Sequence, residues 1–198
     1  MNSQHPTHIN PYSAWSNRAG SDIPSVYGAL PFASNASTSH IVLFSFTDFS
    51  PSILNCNVVG RNTGLHFRIT TDPSSMPGYT TITDQEGKRI SLIEWKDRPL
   101  VEISDIFSKR RVADWLTLSR DASHRVMKVK GRKYVWTPRQ KAICLYPTET
   151  STPALLGQIT REDDGTISLE IAASAVAEGL LETCIVATVL LQCGHTID

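Results

Sequence analysis

The feature that most restricts how this chain can fold lies near its end, where Leu180, Leu181, Cys184, Ile185, Val186, Ala187, Val189, Leu190, Leu191 and Cys193 are apolar. On a helix these positions fall around almost the whole circumference instead of on one stripe. A helix apolar all round is either buried or in a membrane. Residues 180–193 would span about 21 Å at ~1.5 Å per residue, short of the ~30 Å hydrocarbon core of a bilayer. Burial is therefore the expectation, and the Leu, Ile and Val side chains would contribute on the order of 10–20 kcal/mol before conformational entropy is subtracted. The stretch from Ala172 to Cys193 contains no proline and is predicted to be helical throughout, with Gly194 as its C-terminal cap.

Such a helix needs apolar cover on every side, and the rest of the chain reads as the material for it. From Ile41 onward, short β-type runs alternate with turn residues. They are residues 41–47, 53–59, 65–71, 79–83, 89–95 and 100–104, then, after an irregular stretch, 125–130, 133–137, 142–146, 155–160 and 166–171. Leu65, Phe67 and Ile69 alternate with His66, Arg68 and Thr70, which predicts one buried and one wet face. Lys130-Gly131-Arg132 and Asp163-Asp164-Gly165 place glycine where hairpins need a positive φ. Few helical crossovers separate the runs, so a doubly wound α/β fold is not expected. The expected fold is all-β with one C-terminal helix: an antiparallel β-barrel enclosing a buried hydrophobic helix, a closed sheet having no exposed edges.

Residues 1–40 are rich in Ser, Asn, Pro and Ala without a sustained period, and are read as a disordered or loosely docked N-terminal arm. Tyr12, Trp15, Tyr27 and Phe32 within it would suit docking on the domain or on a protein partner. Residues 41–198 are read as one domain. No secretory signal is visible, and Cys56, Cys144, Cys184 and Cys193 have neither CxxC nor zinc spacing. An intracellular setting, cytoplasmic or at a membrane surface, is the expectation, with no transmembrane segment.

Four local patterns, in their order, resemble a fungal, mainly basidiomycete, family of unknown function. They are Ile93-Glu94-Trp95 after a Gly-Lys turn, Gly131-Arg132-Lys133-Tyr134-Val135-Trp136, Leu169-Glu170-Ile171 and the closing apolar helix. The likeness covers roughly residues 41–193. It implies kinship with the tubby and LURP-one-like barrels, in which strands enclose a hydrophobic C-terminal helix, and it implies no catalytic residues. The chain departs from the family pattern at Gln192-Cys193-Gly194-His195, where a more basic tail is usual.

Charge carries the functional clue. Formal neutrality hides an uneven distribution: residues 88–141 hold 15 Lys or Arg against 6 Asp or Glu, whereas residues 142–198 hold 1 against 8. Two subclusters stand out, Lys109-Arg110-Arg111 and Lys128, Lys130, Arg132 and Lys133. Loops carrying such clusters can gather the phosphates of lipid headgroups, and overall neutrality makes nucleic acid a poorer partner. The competing reading is a solvated face whose charges pair with the acidic C-terminal third. Met127 and Val129 are expected to face inward and Lys128 and Lys130 outward, with Val126 on the lysine side; Trp95 and Trp136 are expected in the core.

Catalysis finds little support. Six histidines show no HExxH or paired metal spacing, and a triad of His66, Asp48 and Cys56 is a combination any chain of this length offers. Glu94 is expected to point away from the face that holds Ile93 and Trp95. Gly60–Gly64 reads as a hairpin turn, and Glu162–Gly165 as a turn without the 12-residue calcium pattern. The chain is thus expected to be a non-catalytic binding module for anionic phospholipid headgroups through residues 88–141, without metal or cofactor. The alternatives are a protein-interaction or structural domain recruited through the arm and, last, an enzyme.

Overall fold

The computed structural model describes residues 41–198 apart from 62–63, 73, 75–77 and 150–153. The expected arm over residues 1–40 lies outside the described residues.

Six hairpin-connected steps follow β1 (Ile41–Thr47): β2 (Cys56–Gly60), β3 (Gly64–Asp72), β4 (Gly78–Asp84), β5 (Arg89–Trp95), β6 (Leu100–Ile103) and β7 (Phe107–Arg111). One helical turn, α1 (Val112–Trp115), leads to a second meander. It comprises β8 (Leu116–Leu118), β9 (Arg125–Val129), β10 (Arg132–Arg139), β11 (Ala142–Pro147), β12 (Gly157–Arg161) and β13 (Ile167–Ala172). Two helices close the chain, α2 (Ala173–Ala177) and α3 (Leu181–Gln192). The thirteen strands of the described residues form one antiparallel sheet in the order β7-β6-β5-β4-β3-β2-β1-β13-β12-β11-β10-β9-β8. The two meanders are joined in the middle, where β1 pairs with β13 from Ile41↔Ala172 to Phe46↔Ile167.

The order is open: no pairing joins β7 to β8. The reason is directional. Counting antiparallel steps outward from β1, β7 runs the same way as β1; counting through β13, so does β8. Two strands running the same way pair only after a crossover of roughly a dozen residues or more, and α1 supplies a single turn. The chain instead continues in one direction, leaving the edge that pairs with β6 and joining the edge that pairs with β9. α1 is fastened to both sides. The Val112 N–H donates to Pro99 O at 2.9 Å, and the Trp115 indole Nε1–H donates to Lys128 O at 3.1 Å.

Alternation explains which faces are buried. Phe67 and Ile69 are buried while Arg68 and Thr70 are exposed. Met127 and Val129 are buried, Lys128 is exposed and Val126 is half-buried on the lysine side. Trp115 and Trp136 have no exposed surface. Trp95 is only half-buried: its indole N–H donates to Thr80 Oγ1 at 2.7 Å and its ring stacks on His195 at 4.8 Å. The Thr80 hydroxyl donates in turn to Thr71 Oγ1 (2.7 Å), because Thr71 is committed to Leu54 O (2.7 Å).

The single C-terminal helix predicted from Ala172 to Cys193 is two helices. Gly179 takes φ +77°, its N–H donates to Val176 O at 2.9 Å, and the Leu180 N–H donates to Ala175 O at 3.1 Å. These two bonds and buried Leu180 make a Schellman cap that ends α2. In α3 every residue from Thr183 to Gln192 is buried. Thr183 and Thr188 satisfy their hydroxyls on Leu180 O (2.7 Å) and Cys184 O (2.8 Å), so they enter the core without orphaned donors. The Gln192 amide and the Trp136 indole N–H find no partner among the described residues.

These two environments set opposite stability outcomes. Leu190→Ala removes a side chain with no exposed surface and should cost about 2–5 kcal/mol in urea unfolding. Gln192→Met keeps the volume and removes an unsatisfied amide, and should raise stability by about 1–2 kcal/mol.

Candidate functional site

Lys109, Arg110 and Arg111 occupy β7, an edge strand whose last four residues are all exposed. Arg110 lies over the Phe107 ring at 4.3 Å, and that ring lies 5.3 Å from the Trp115 ring. With the hydrogen bond from Trp115 to Lys128 O, three successive contacts run from one basic subcluster to the other. The register agrees. β9 passes β8 from Leu118↔Arg125 to Leu116↔Met127, so its continuation through Lys128 and Lys130 comes abreast of α1 and the end of β7.

The second subcluster sits on the β9–β10 hairpin. Lys130 and Gly131 take φ +47° and +82°, the conformation of a two-residue type I′ turn that suits the right-handed twist of the strands. Lys128 and Lys133 are cross-strand partners, both exposed. Like charges directly opposite each other destabilise a sheet, and among the described residues no carboxylate forms an ion pair with either lysine. Arg132 is paired with Glu178 at 3.1 Å. The Lys130 ammonium lies against Gly179, where an added Cβ would meet its Nζ at 3.1 Å. The expected pairing with the acidic C-terminal third thus occurs at three places among the described residues: the exposed pairs Arg132–Glu178 and Lys141–Asp163 (3.8 Å), and Arg125–Asp198 (2.7 Å), whose arginine is buried.

Lys109 is held differently. Glu94 is buried on the side of β5 opposite Ile93, beneath partners that are themselves about half exposed. Lys96 Nζ lies 2.7 Å and Lys109 Nζ 3.2 Å from its carboxylate oxygens, and the Tyr79 hydroxyl donates at 3.2 Å. The hydrogen bond from Lys96 above all, with Lys109 adding to it, holds the Glu94 carboxyl below its ordinary value against the opposing effect of burial. Next to this cluster, Lys96, Asp97, Arg98, Leu100 and Arg111 border an open groove of about 600 Å³. Lys96 and Arg98 belong to the basic segment but to no run of cations, and reading runs along the sequence therefore missed them. Arg111 enters the groove because it pairs across from Leu100.

The thiols of the four cysteines are not activated. Burial, and then the Asp48 carboxylate, push the Cys56 thiol up to about 12, the reverse of what an attacking thiolate requires. Burial likewise raises Cys144 and Cys184, and raises Cys193 to about 11. Among the described residues no three His, Cys, Asp or Glu side chains gather to hold a metal ion, and no helix is long and apolar enough to cross a membrane.

The fold is that of a mostly antiparallel β protein with a C-terminal helix, and it carries exposed basic residues on β7 and on the β9–β10 hairpin. The chain belongs to a family described as Family of unknown function (DUF6593), which it matches over residues 51–195. No curated protein matches it. It is similar to an X-ray structure of a protein from Arabidopsis thaliana, at 16% identity and a TM-score of 0.38, covering 74% of this chain and 90% of that one.

The Glu94 cluster gives a pH signature with a defined sign. A carboxylate whose folded value is depressed contributes stability that is present above its unfolded value, ordinarily 4.5, and lost as pH falls through the folded one. Thermal unfolding from pH 7 to pH 2 should therefore show Glu94→Gln less stable than the wild type above pH 4.5. The gap should close on further acidification.

Proposed function

We propose that this chain is a non-catalytic binding module for anionic phospholipid headgroups, acting through the basic surface of residues 88–141. The observation that carries the reading is the contact path Arg110–Phe107–Trp115–Lys128. It supports the reading because it links the strand that bears Lys109, Arg110 and Arg111 to the strand that bears Lys128 across one helical turn. Lys128 and Lys133 sit opposite each other at a cost in sheet stability, which a polyanionic surface would relieve.

We further propose that the sheet wraps α3 as a barrel. A flat sheet of this order would hold β7 and β8 about 58 Å apart at ~4.8 Å per strand, whereas α1 spans only about 6 Å at ~1.5 Å per residue. The complete burial of Thr183–Gln192 supports the same arrangement, as does the resemblance of the motifs to fungal relatives of the tubby and LURP-one-like barrels. A cytoplasmic protein that visits a membrane surface fits this architecture, with the headgroups engaged from outside.

Co-sedimentation with phosphatidylserine or phosphoinositide vesicles, against neutral vesicles at low and physiological salt, tests the headgroup reading. Binding should be selective for anionic lipid and weaken with salt. Lysines near such a surface contribute about 1 kcal/mol each, so Lys128→Glu, Lys130→Glu and Lys133→Glu together should lower it by more than roughly a hundredfold. Unchanged binding by that variant would remove these residues from the site, and no binding by the wild type would overturn the function.

A further inference from the structure

We infer that the groove bordered by Lys96, Asp97, Arg98, Leu100 and Arg111 is a recognition site for a phosphate monoester carried on a small polar body. This rests on the headgroup reading above only in placing the anion beside β7, and it names the chemical group that would be recognised.

The groove is built from three fixed pieces. Residues 96–98 form the bend between β5 and β6, Leu100 pairs with Glu94 on one side and Arg111 on the other, and the Val112 N–H to Pro99 O bond ties α1 to the bend. Arg98, on the bend, and Arg111, on the strand paired with Leu100, are thereby brought to the border of one space. Both border the groove, and among the described residues neither forms an ion pair with a carboxylate. Guanidinium is the side chain best matched to phosphate oxygens, because its planar fork donates two parallel hydrogen bonds.

The charge count favours a dianion. Glu94 is already engaged by Lys96, Lys109 and Tyr79, and it serves to hold the two lysines beside the groove. Lys96, Arg98 and Arg111 border the groove against the single carboxylate of Asp97, a surplus of two positive charges. A phosphate monoester carries about −1.5 to −2 near neutral pH, whereas a diester carries a single negative charge. The volume of about 600 Å³ exceeds what a bare phosphate fills and lies within the ~300–1,000 Å³ of small-molecule sites. Leu100 is the one apolar side chain among the five that border it, so the body attached to the phosphate should be polar.

Two arms separate a lipid from a soluble source. In the first, the full chain is titrated with glycerol 3-phosphate and with dimethyl phosphate, read by NMR at the arginine side-chain resonances. In the second, it is sedimented with phosphatidylcholine vesicles containing phosphatidic acid (a monoester) or phosphatidylglycerol (a diester) at matched surface charge. The monoester should be preferred about tenfold or more, glycerol 3-phosphate should shift Arg98 and Arg111, and Arg98→Ala or Arg111→Ala should each weaken monoester binding about tenfold. Binding in both arms supports the groove with a lipid source. Binding of glycerol 3-phosphate alone supports it with a soluble source and retires the membrane reading. Equal binding of the two lipids, without arginine shifts, overturns the groove and leaves the headgroup reading standing. No binding of either monoester overturns the groove as well. The wild-type NMR titration decides the matter even if a variant fails to fold.

Discussion

The four residues of α1 are the constraint on which the rest of this architecture depends. An antiparallel meander reverses direction at every step, and α1 is the place where the chain does not reverse. Buried Val112 and Trp115 anchor that exception in the core. One backbone bond to Pro99 and one indole bond to Lys128 fix it to the strands on either side. Without this fixed join, β1–β7 and β8–β13 would meet only where β1 pairs with β13.

The same join explains why charge collects where it does. β7 is an edge strand, and edge strands commonly carry Lys or Arg because unpaired backbone groups invite aggregation. A run of three cations there is thus compatible with ordinary protection of an edge. Lys128 and Lys133 are less easily explained in that way, since they face one another across an interior pair of the sheet. Glu94 adds a third arrangement: its carboxylate draws together Lys96 from the β5–β6 bend and Lys109 from β7. The basic segment thus holds cations that protect an edge, cations that repel each other and cations fixed by a shared carboxylate.

Much of the sheet was legible in the sequence, because period-two alternation is strong where one face is buried, as at Phe67 and Ile69 or Met127 and Val129. What escaped was β7, α1 and β8. Ser108-Lys109-Arg110-Arg111 has no apolar alternation, since an edge strand of exposed residues needs none. Val112, Trp115 and Leu116 do show helical spacing, but a single turn is too short to register as an element. Gly179 was a readable sign that the last helix breaks, for a glycine before a buried leucine is the mark of a Schellman cap. Arg125 could not be foreseen. It is buried on the Met127 side because Asp198, distant in sequence, meets it at 2.9 and 2.7 Å while Leu116 O accepts at 3.0 Å. Among the site residues, the runs pointed to Arg111, but only the pairing with Leu100 brought it to Lys96 and Arg98.

The zipper between β1 and β13 has a consequence for how the chain is made. Partners from Ile41↔Ala172 to Phe46↔Ile167 lie at the two ends of the described chain, so the central seam has a very high contact order. Each half is a local meander that can form early, but contacts this distant in sequence fold slowly because the loop-closure cost comes first. During synthesis β1 therefore emerges long before its partner, with one side of its backbone unpaired and Phe44 and Phe46 lacking their final neighbours. A chain released before residue 167 would keep that edge open, and it is the nascent protein, more than the finished one, that most needs a chaperone.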